Sequence, residues 1–319
     1  MLVTGITGVA GFNAFHYLQA RYPGQVIGAR PRRTHWLNGP GIVALDIDDT
    51  EKLGELFDQY RFRSVFNAIG NCALKKCELD PAMAHVMNVA SAVSITENVR
   101  KHACRLVHLS SDLVYSGDGA GGYRETDPVD PVTIYGKTMA RGELEVVDAV
   151  PSAAILRIPL PMGPSFNHHA GAIDWIDSRF RKDRPATLYF DEVRSATYTD
   201  DLNVVFERFL AGDEHGVYHL GGPRAVTLFQ MGQIVNRVGG YQPELLHGCP
   251  RHAAGPMPPR AGNVSMCSDK LLELLGHDPF RPWPFDPELV PSDRQWHFER
   301  RESERGSAAR ISAQLYRAG

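Results

Sequence analysis

The order of apolar segments predicts an α/β fold, a doubly wound parallel sheet followed by a smaller C-terminal domain. Three observations carry this. Short β-branched runs alternate with helical ones through the first half of the chain. Glycines crowd the turn between the first strand and the first helix. The rhythm then breaks after Ile155-Leu156-Arg157-Ile158-Pro159. We expect one unit over residues 1–160 and a second over 161–319, with some segments of the second returning to the first sheet.

Leu2-Val3-Thr4 reads as a strand, and Phe15, Leu18 and Tyr22 then recur at helical spacing until Pro23-Gly24 stops the helix. Gln25 to Gly28 and Ile42 to Leu45 are strands. Glu51 to Tyr60 is a helix with Leu53, Leu56 and Phe57 on one face. Ser64 to Ala68 is the next strand, Pro81 to His102 one long helix, and Arg105 to Leu109 a strand. In the second half, Asp201 to Leu210 reads as a helix and Gly216 to Leu220 as a strand, whereas residues 240–290 are Pro-rich and irregular. The charged, sparsely apolar stretch from Ser292 to Gly319 reads as a solvated helix or loose tail.

Composition bounds the function. With 319 residues, 43% hydrophobic and 22% charged, the chain has globular proportions. Lys+Arg 34 against Asp+Glu 37 gives a net charge of −3, which argues against nucleic acid as a partner. No long apolar run suggests a membrane span, and five cysteines without a CxxC pair fit reduced thiols in the cytoplasm rather than zinc. No metal site is expected: His168-His169 diverge as neighbours, and no HxxxH or HExxH spacing exists. No GxSxG elbow supports a hydrolase.

Gly5-Ile6-Thr7-Gly8-Val9-Ala10-Gly11 places glycines where a tight turn can bring bare backbone N–H groups against a pyrophosphate at the positive end of a helix. Gly5, Thr7, Gly8, Val9, Ala10 and Gly11 are therefore candidate cofactor-binding residues of a dinucleotide site. NAD sites usually set an acid at the end of the second strand to hold the ribose 2′-OH. Here that strand runs into Ala29-Arg30-Pro31-Arg32-Arg33, with no acid before Asp46. NADP(H) is favoured over NAD(H), with Arg30 as the 2′-phosphate residue.

These glycines, with Leu45-Asp46-Ile47, Asn67-Ala68-Ile69-Gly70, His108-Leu109-Ser110-Ser111-Asp112-Leu113-Val114-Tyr115, Glu125-Thr126-Asp127, Tyr135-Gly136-Lys137-Thr138, Arg194 to Leu202 and Gly216 to Gly222, resemble the extended short-chain dehydrogenase/reductase family, dTDP-4-dehydrorhamnose reductase branch, over about residues 1–290. The resemblance implies a Rossmann domain and a smaller domain for a sugar nucleotide, with a homodimer possible. It implies Tyr135 as proton donor at the substrate carbonyl and Ser111 as its hydrogen-bonding partner. Asp46 and Ile47 would border the adenine, Ala68 and Gly70 would line the cofactor channel, and Pro159 would lie near the nicotinamide. Asn167, Arg194 and Arg260 are guesses for polar or phosphate contacts to the sugar nucleotide.

One position departs from the family. The lysine expected four residues after Tyr135 is Met139, and Lys137 falls on another helix face. Without that ammonium the phenol should keep a pKa near its reference of ~10. Such a phenol suits reduction of a ketone, which needs Tyr-OH, better than oxidation of an alcohol, which needs tyrosinate. The expected activity is NADPH-dependent reduction of a nucleotide-activated keto-sugar. Two alternatives stay open: a non-redox epimerase, dehydratase or lyase on the same fold, and a cofactor-binding regulatory subunit.

Overall fold

The structure, a computed structural model, describes residues 1–46, 48–255, 257–300 and 306–317. The first half runs β1 (Leu2–Val3), α1 (Val9–Arg21), β2 (Ile27–Arg30), β3 (Ile42–Ala44), α2 (Thr50–Tyr60), β4 (Ser64–Asn67), α3 (Leu74–Leu79), α4 (Pro81–His85), α5 (Ser91–His102), β5 (Arg105–Ser111), α6 (Ile134–Ala149) and β6 (Ala154–Ile158). The second half runs β7 (Pro161–Met162), α7 (Asp174–Phe180), β8 (Ala186–Tyr189), β9 (Val193–Arg194), β10 (Thr197–Tyr198), α8 (Thr199–Ala211), β11 (Gly216–His219), β12 (Val226–Thr227), α9 (Leu228–Gly239), β13 (Leu246–Cys249), α10 (Asp269–Leu275) and α11 (Ala308–Leu315).

Seven strands form one sheet in the order β11-β6-β5-β4-β1-β2-β3, every pair parallel. The order reverses at β1, so the carboxyl ends of β1 and β4 open a crevice where a ligand of a doubly wound fold binds. One side of the sheet buries Val3, Phe15, Phe66, Leu156 and Phe206 with α1 and α8. The other buries Leu53, Phe57, Ile95, Leu106 and Val146 with α2, α5 and α6. Apolar residues on both faces of each strand explain the unbroken hydrophobic runs that marked the strands in sequence.

Two expectations are refined. The chain is helical from Pro81 to His102 as expected, but Val86–Ala90, between α4 and α5, are wound as a π-turn that takes in one extra residue. The charged tail, most of whose described residues are exposed as expected, is not loose. Trp296, Ile311 and Leu315 are buried in a second core with Phe180, Tyr198, Phe229 and Trp283, since apolar residues four apart give α11 one packing face despite its polar composition. Among the described residues, no helix is long and apolar enough to cross a membrane.

Candidate active site

The glycine turn lies between β1 and α1, and its three glycines serve different ends. Gly5 has φ +66, and a Cβ there would come within 2.2 Å of the Ala68 carbonyl oxygen; a Cβ on Gly11 would come within 2.3 Å of the Gly5 oxygen. These two are required by packing of the chain on itself. A Cβ on Gly8 would meet only the Gly5 oxygen at 3.5 Å, ordinary contact, so its bareness serves whatever approaches from outside. Gly8 is the extended residue preceding α1, and no acid occupies the first helical turn. The leading N–H groups, at Val9, Ala10 and Gly11, thus face an electropositive helix end suited to a pyrophosphate. Thr7 is half-buried in the same turn.

At the end of β2, Arg30 donates through Nε to the Leu37 carbonyl (2.6 Å) and through an Nη to the Pro31 carbonyl (3.0 Å). It braces the loop that follows while keeping its charge at the strand end. Arg32 faces the acids Asp46 and Asp49, and the Arg32 amide donates to Asp46 Oδ1 (2.9 Å). Ile47 lies outside the described residues. Ala68 and Gly70 follow β4, and Pro159 is buried just past β6, so these three stand at the carboxyl edge of the sheet.

Ser111 ends β5 and caps the short 3-10 turn Asp112–Val114, accepting from the Leu113 amide (3.2 Å) and donating to Asp112 Oδ1 (3.1 Å). Tyr135 sits in the first turn of α6. Thr133 Oγ1 accepts from the Gly136 amide (2.9 Å) and Glu78 Oε1 from the Ile134 amide (2.7 Å), which fixes where this helix begins. Gly136 lets it approach: a Cβ there would come within 2.1 Å of the Leu113 carbonyl oxygen. That close approach brings the start of α6, with Tyr135, against the turn that follows Ser111, and Ser111 is among the groups acting on the Tyr135 phenol. The phenol is buried and its pKa is raised, first by desolvation and then by the Cys72 thiol; Asp112 adds to the rise, while Ser111 and Arg194 oppose it. Cys72, exposed itself, therefore neighbours this site, and desolvation by the surrounding groups pushes its thiol up.

Met139 is buried one turn beyond Tyr135, packed with it among Cys77, Leu113 and Ala140, whereas Lys137 is exposed. The Met139 thioether lies 3.8 Å from where a Gly70 Cβ would stand. Met139 thus forms an apolar contact between Tyr135 and the loop after β4.

Two groups were not found by sequence reasoning. Asn88, buried in the π-turn, accepts from the Asn71 amide (2.8 Å) and donates to Thr138 Oγ1 (2.8 Å), tying the loop after β4 to α6 beside Met139. A lone Asn inside a helical pattern gives no signal of this. Asp112 is fully buried and takes two bonds from Arg194, at 2.7 and 2.5 Å. Arg194 also faces Glu192 (3.7 Å), which faces Arg260 (3.0 Å). Alternating charges therefore run from the Ser111–Tyr135 pair outward. The Arg194 guanidinium is directed at Asp112, Arg260 stacks over the Tyr189 ring, and Asn167 is exposed, its Oδ1 accepting from the amides of His169 and Ala170. Arg194 and Arg260 thus meet at Glu192, whereas the Asn167 side chain bonds within its own loop. Among the described residues no cluster of three or more His, Cys, Asp or Glu could hold a metal ion.

Comparison with known proteins bears on the fold and the family. A dTDP-4-dehydrorhamnose reductase of Aggregatibacter actinomycetemcomitans is 27% identical over 192 residues, 58% of this chain and 64% of that protein. The methionine adenosyltransferase 2 subunit beta of Xenopus tropicalis is 24% identical over 317 residues, 92% of this chain and 89% of that one. Among solved structures, a dTDP-4-dehydrorhamnose reductase from Bacillus anthracis in complex with NADP superposes with a TM-score of 0.76 at 19% identity, covering 88% of this chain and 94% of that one; at that identity the likeness speaks for the fold. Residues 1–287 match the family described as "RmlD substrate binding domain", and by that match over most of its length the chain belongs to this family.

Proposed function

We propose that this protein is an NADPH-dependent reductase of a nucleotide-activated keto-sugar, an extended short-chain dehydrogenase/reductase that works without the family's lysine. What supports this reading is Ser111 at the carboxyl end of β5 together with Tyr135 at the start of α6, whose phenol is kept neutral by burial. When bound, the nicotinamide supplies the hydride. The turn from Gly5 to Gly11 holds the pyrophosphate, Arg30 the 2′-phosphate, Asp46 borders the adenine, and Ala68, Gly70 and Pro159 flank the nicotinamide half. Residues 161–319 provide the sugar-nucleotide side, with Asn167 and Arg260 at its rim and Arg194 held behind them on Asp112.

Ser111 turns its hydroxyl from Asp112 to the substrate carbonyl oxygen and orients it. As the carbonyl carbon is reduced, Tyr135 donates its proton to that oxygen, and the tyrosinate left behind takes a proton from solvent. Burial keeps the phenol neutral across the physiological range, so the proton is always present for reduction, whereas oxidation of the alcohol lacks its base. The test is incubation with NADPH and a panel of 4-keto nucleotide sugars. Loss of NADPH absorbance with a product two mass units heavier is expected. A product of unchanged or reduced mass without NADPH loss would instead establish an isomerase or lyase.

Arg30→Ala is expected to weaken NADPH binding about tenfold, the worth of a charge-assisted contact, and NADH binding less than threefold. Equal losses would remove Arg30 from the 2′-phosphate. Met139→Lys is expected to raise alcohol oxidation at pH 8 by about tenfold, because an ammonium beside the phenol lowers its pKa by about a unit or more, and to leave ketone reduction within a few-fold. Unchanged kinetics in both directions would show that the ammonium is irrelevant here.

A second reading, a cofactor-binding regulatory subunit, is favoured by Met139 and by the long match to the methionine adenosyltransferase beta subunit. It predicts tight NADPH binding without turnover on any sugar of the panel.

A further inference from the structure

The segment beyond the family match touches the edge of the cleft. Helix α11 seats Ile311 and Leu315 in the second core. Trp283 Nε1 donates to the Leu315 carbonyl (2.9 Å) and Tyr198 Oη to the Gln314 carbonyl (3.1 Å), so the end of the helix is fixed at two backbone points. Just beyond it, Tyr316 donates its phenol hydrogen to Asp174 Oδ1.

Asp174 is buried at the start of α7. Its other oxygen accepts from Ser165 Oγ (2.6 Å) and from the Gly171 amide (2.8 Å). Both ends of the loop 165–171 therefore close on one carboxylate, which the C-terminal segment grips from behind. The loop carries Asn167, His168 and His169 into the open, with Phe166 half-buried before them. On its near side Asn13, on the helix that follows the glycine turn, donates to the Pro164 carbonyl (2.8 Å). His168 is held at φ +56, a conformation costly for a residue with a Cβ and kept only where the surroundings impose it.

We propose that residues 307–317 are a latch on the cleft-edge loop 163–173, with Tyr316 as the positioning residue that acts through Asp174. The consequence for substrate rests on the reading that this loop walls the sugar-nucleotide pocket. The latch itself does not depend on it. Burial and the bond to Asp174 raise the Tyr316 pKa, so its hydroxyl stays a donor above the ordinary phenol range.

Tyr316→Phe in the full chain tests this, because it removes one hydroxyl and leaves the ring in place. Hydrogen exchange of the unliganded protein is expected to speed about tenfold at amides 165–171, the worth of one bond to a carboxylate, with α11 unchanged. In turnover, KM for the nucleotide sugar is expected to rise five- to tenfold, with kcat and the NADPH Kd within twofold. Should Tyr316→Phe loosen α11 itself, Asp174→Asn carries the same test with α11 packed. Unaltered exchange at 165–171 in a variant whose α11 is intact would overturn the latch. Faster exchange with unchanged KM would uphold the latch and remove the loop from the substrate pocket.

Discussion

Replacing Tyr135 by Phe is expected to lower kcat for keto-sugar reduction by about 10²–10⁴-fold, the usual contribution of a positioned proton donor, while NADPH binding stays within a few-fold of the parent. The ring of Tyr135 is part of an apolar cluster with Leu113, Met139 and Ala140, so Phe keeps the packing and only the hydroxyl is lost. Circular dichroism and cofactor titration verify that fold and site remain, and steady-state kinetics gives the rate. A loss below about threefold would mean that the proton comes from elsewhere. The same phenol predicts the pH behaviour. Its pKa is raised above ~10 by burial, so reduction should be flat between about pH 6 and 9. Oxidation of the alcohol should be slow and rise about tenfold per pH unit.

Replacing Arg194 by Met is expected to cost about 3–5 kcal/mol of stability, the penalty for stranding one member of a buried ion pair. At 2–4 °C per kcal/mol this lowers Tm by about 6–20 °C. Asp112 is wholly buried, and Arg194 makes both of the arginine bonds to it. Desolvation already raises the Asp112 pKa above its ordinary value even with Arg194 in place, as the attraction of the guanidinium is the smaller effect. A group whose folded pKa is raised contributes stability below its unfolded value and loses it as pH rises through the folded one. Without the guanidinium the folded value climbs further. The deficit of Arg194→Met should therefore be small near pH 4.5 and largest near pH 8, as read by thermal unfolding across that range. A deficit independent of pH would show that Arg194 acts by packing alone.

What could be read in the sequence depended on the range of the interaction. The parallel sheet was legible because strands buried on both faces give continuous apolar runs and because the glycine turn stands between the first of them and a helix. Tyr135 and Ser111 were legible only through the resemblance. What puts them together is Gly136 meeting the Leu113 carbonyl, a contact that no local pattern announces. The Asp112–Arg194 pair spans 82 residues, and from sequence Arg194 looked like a ligand-facing cation because nothing nearby could claim it. The anchoring of the tail was hidden for a related reason. Its arginines and glutamates dominate the composition, whereas Trp296, Ile311 and Leu315 decide where it packs. The π-turn at Val86–Ala90 follows from tertiary fit against α6, where a Cβ on Gly142 would come within 2.5 Å of the Asn88 carbonyl oxygen.

The central claim is a hydride delivered to a sugar carbonyl, with its proton drawn from a tyrosine that no lysine assists. A single-turnover reaction with NADPH deuterated at the transferable C4 position, quenched and read by mass spectrometry of the sugar nucleotide, tests it most directly. One deuterium on the reduced carbon of the product, formed at the same rate at pH 6 and pH 9, is the predicted result. A product without deuterium, or a rate that collapses toward pH 9 as that of a tyrosine of pKa near 7 would, contradicts it.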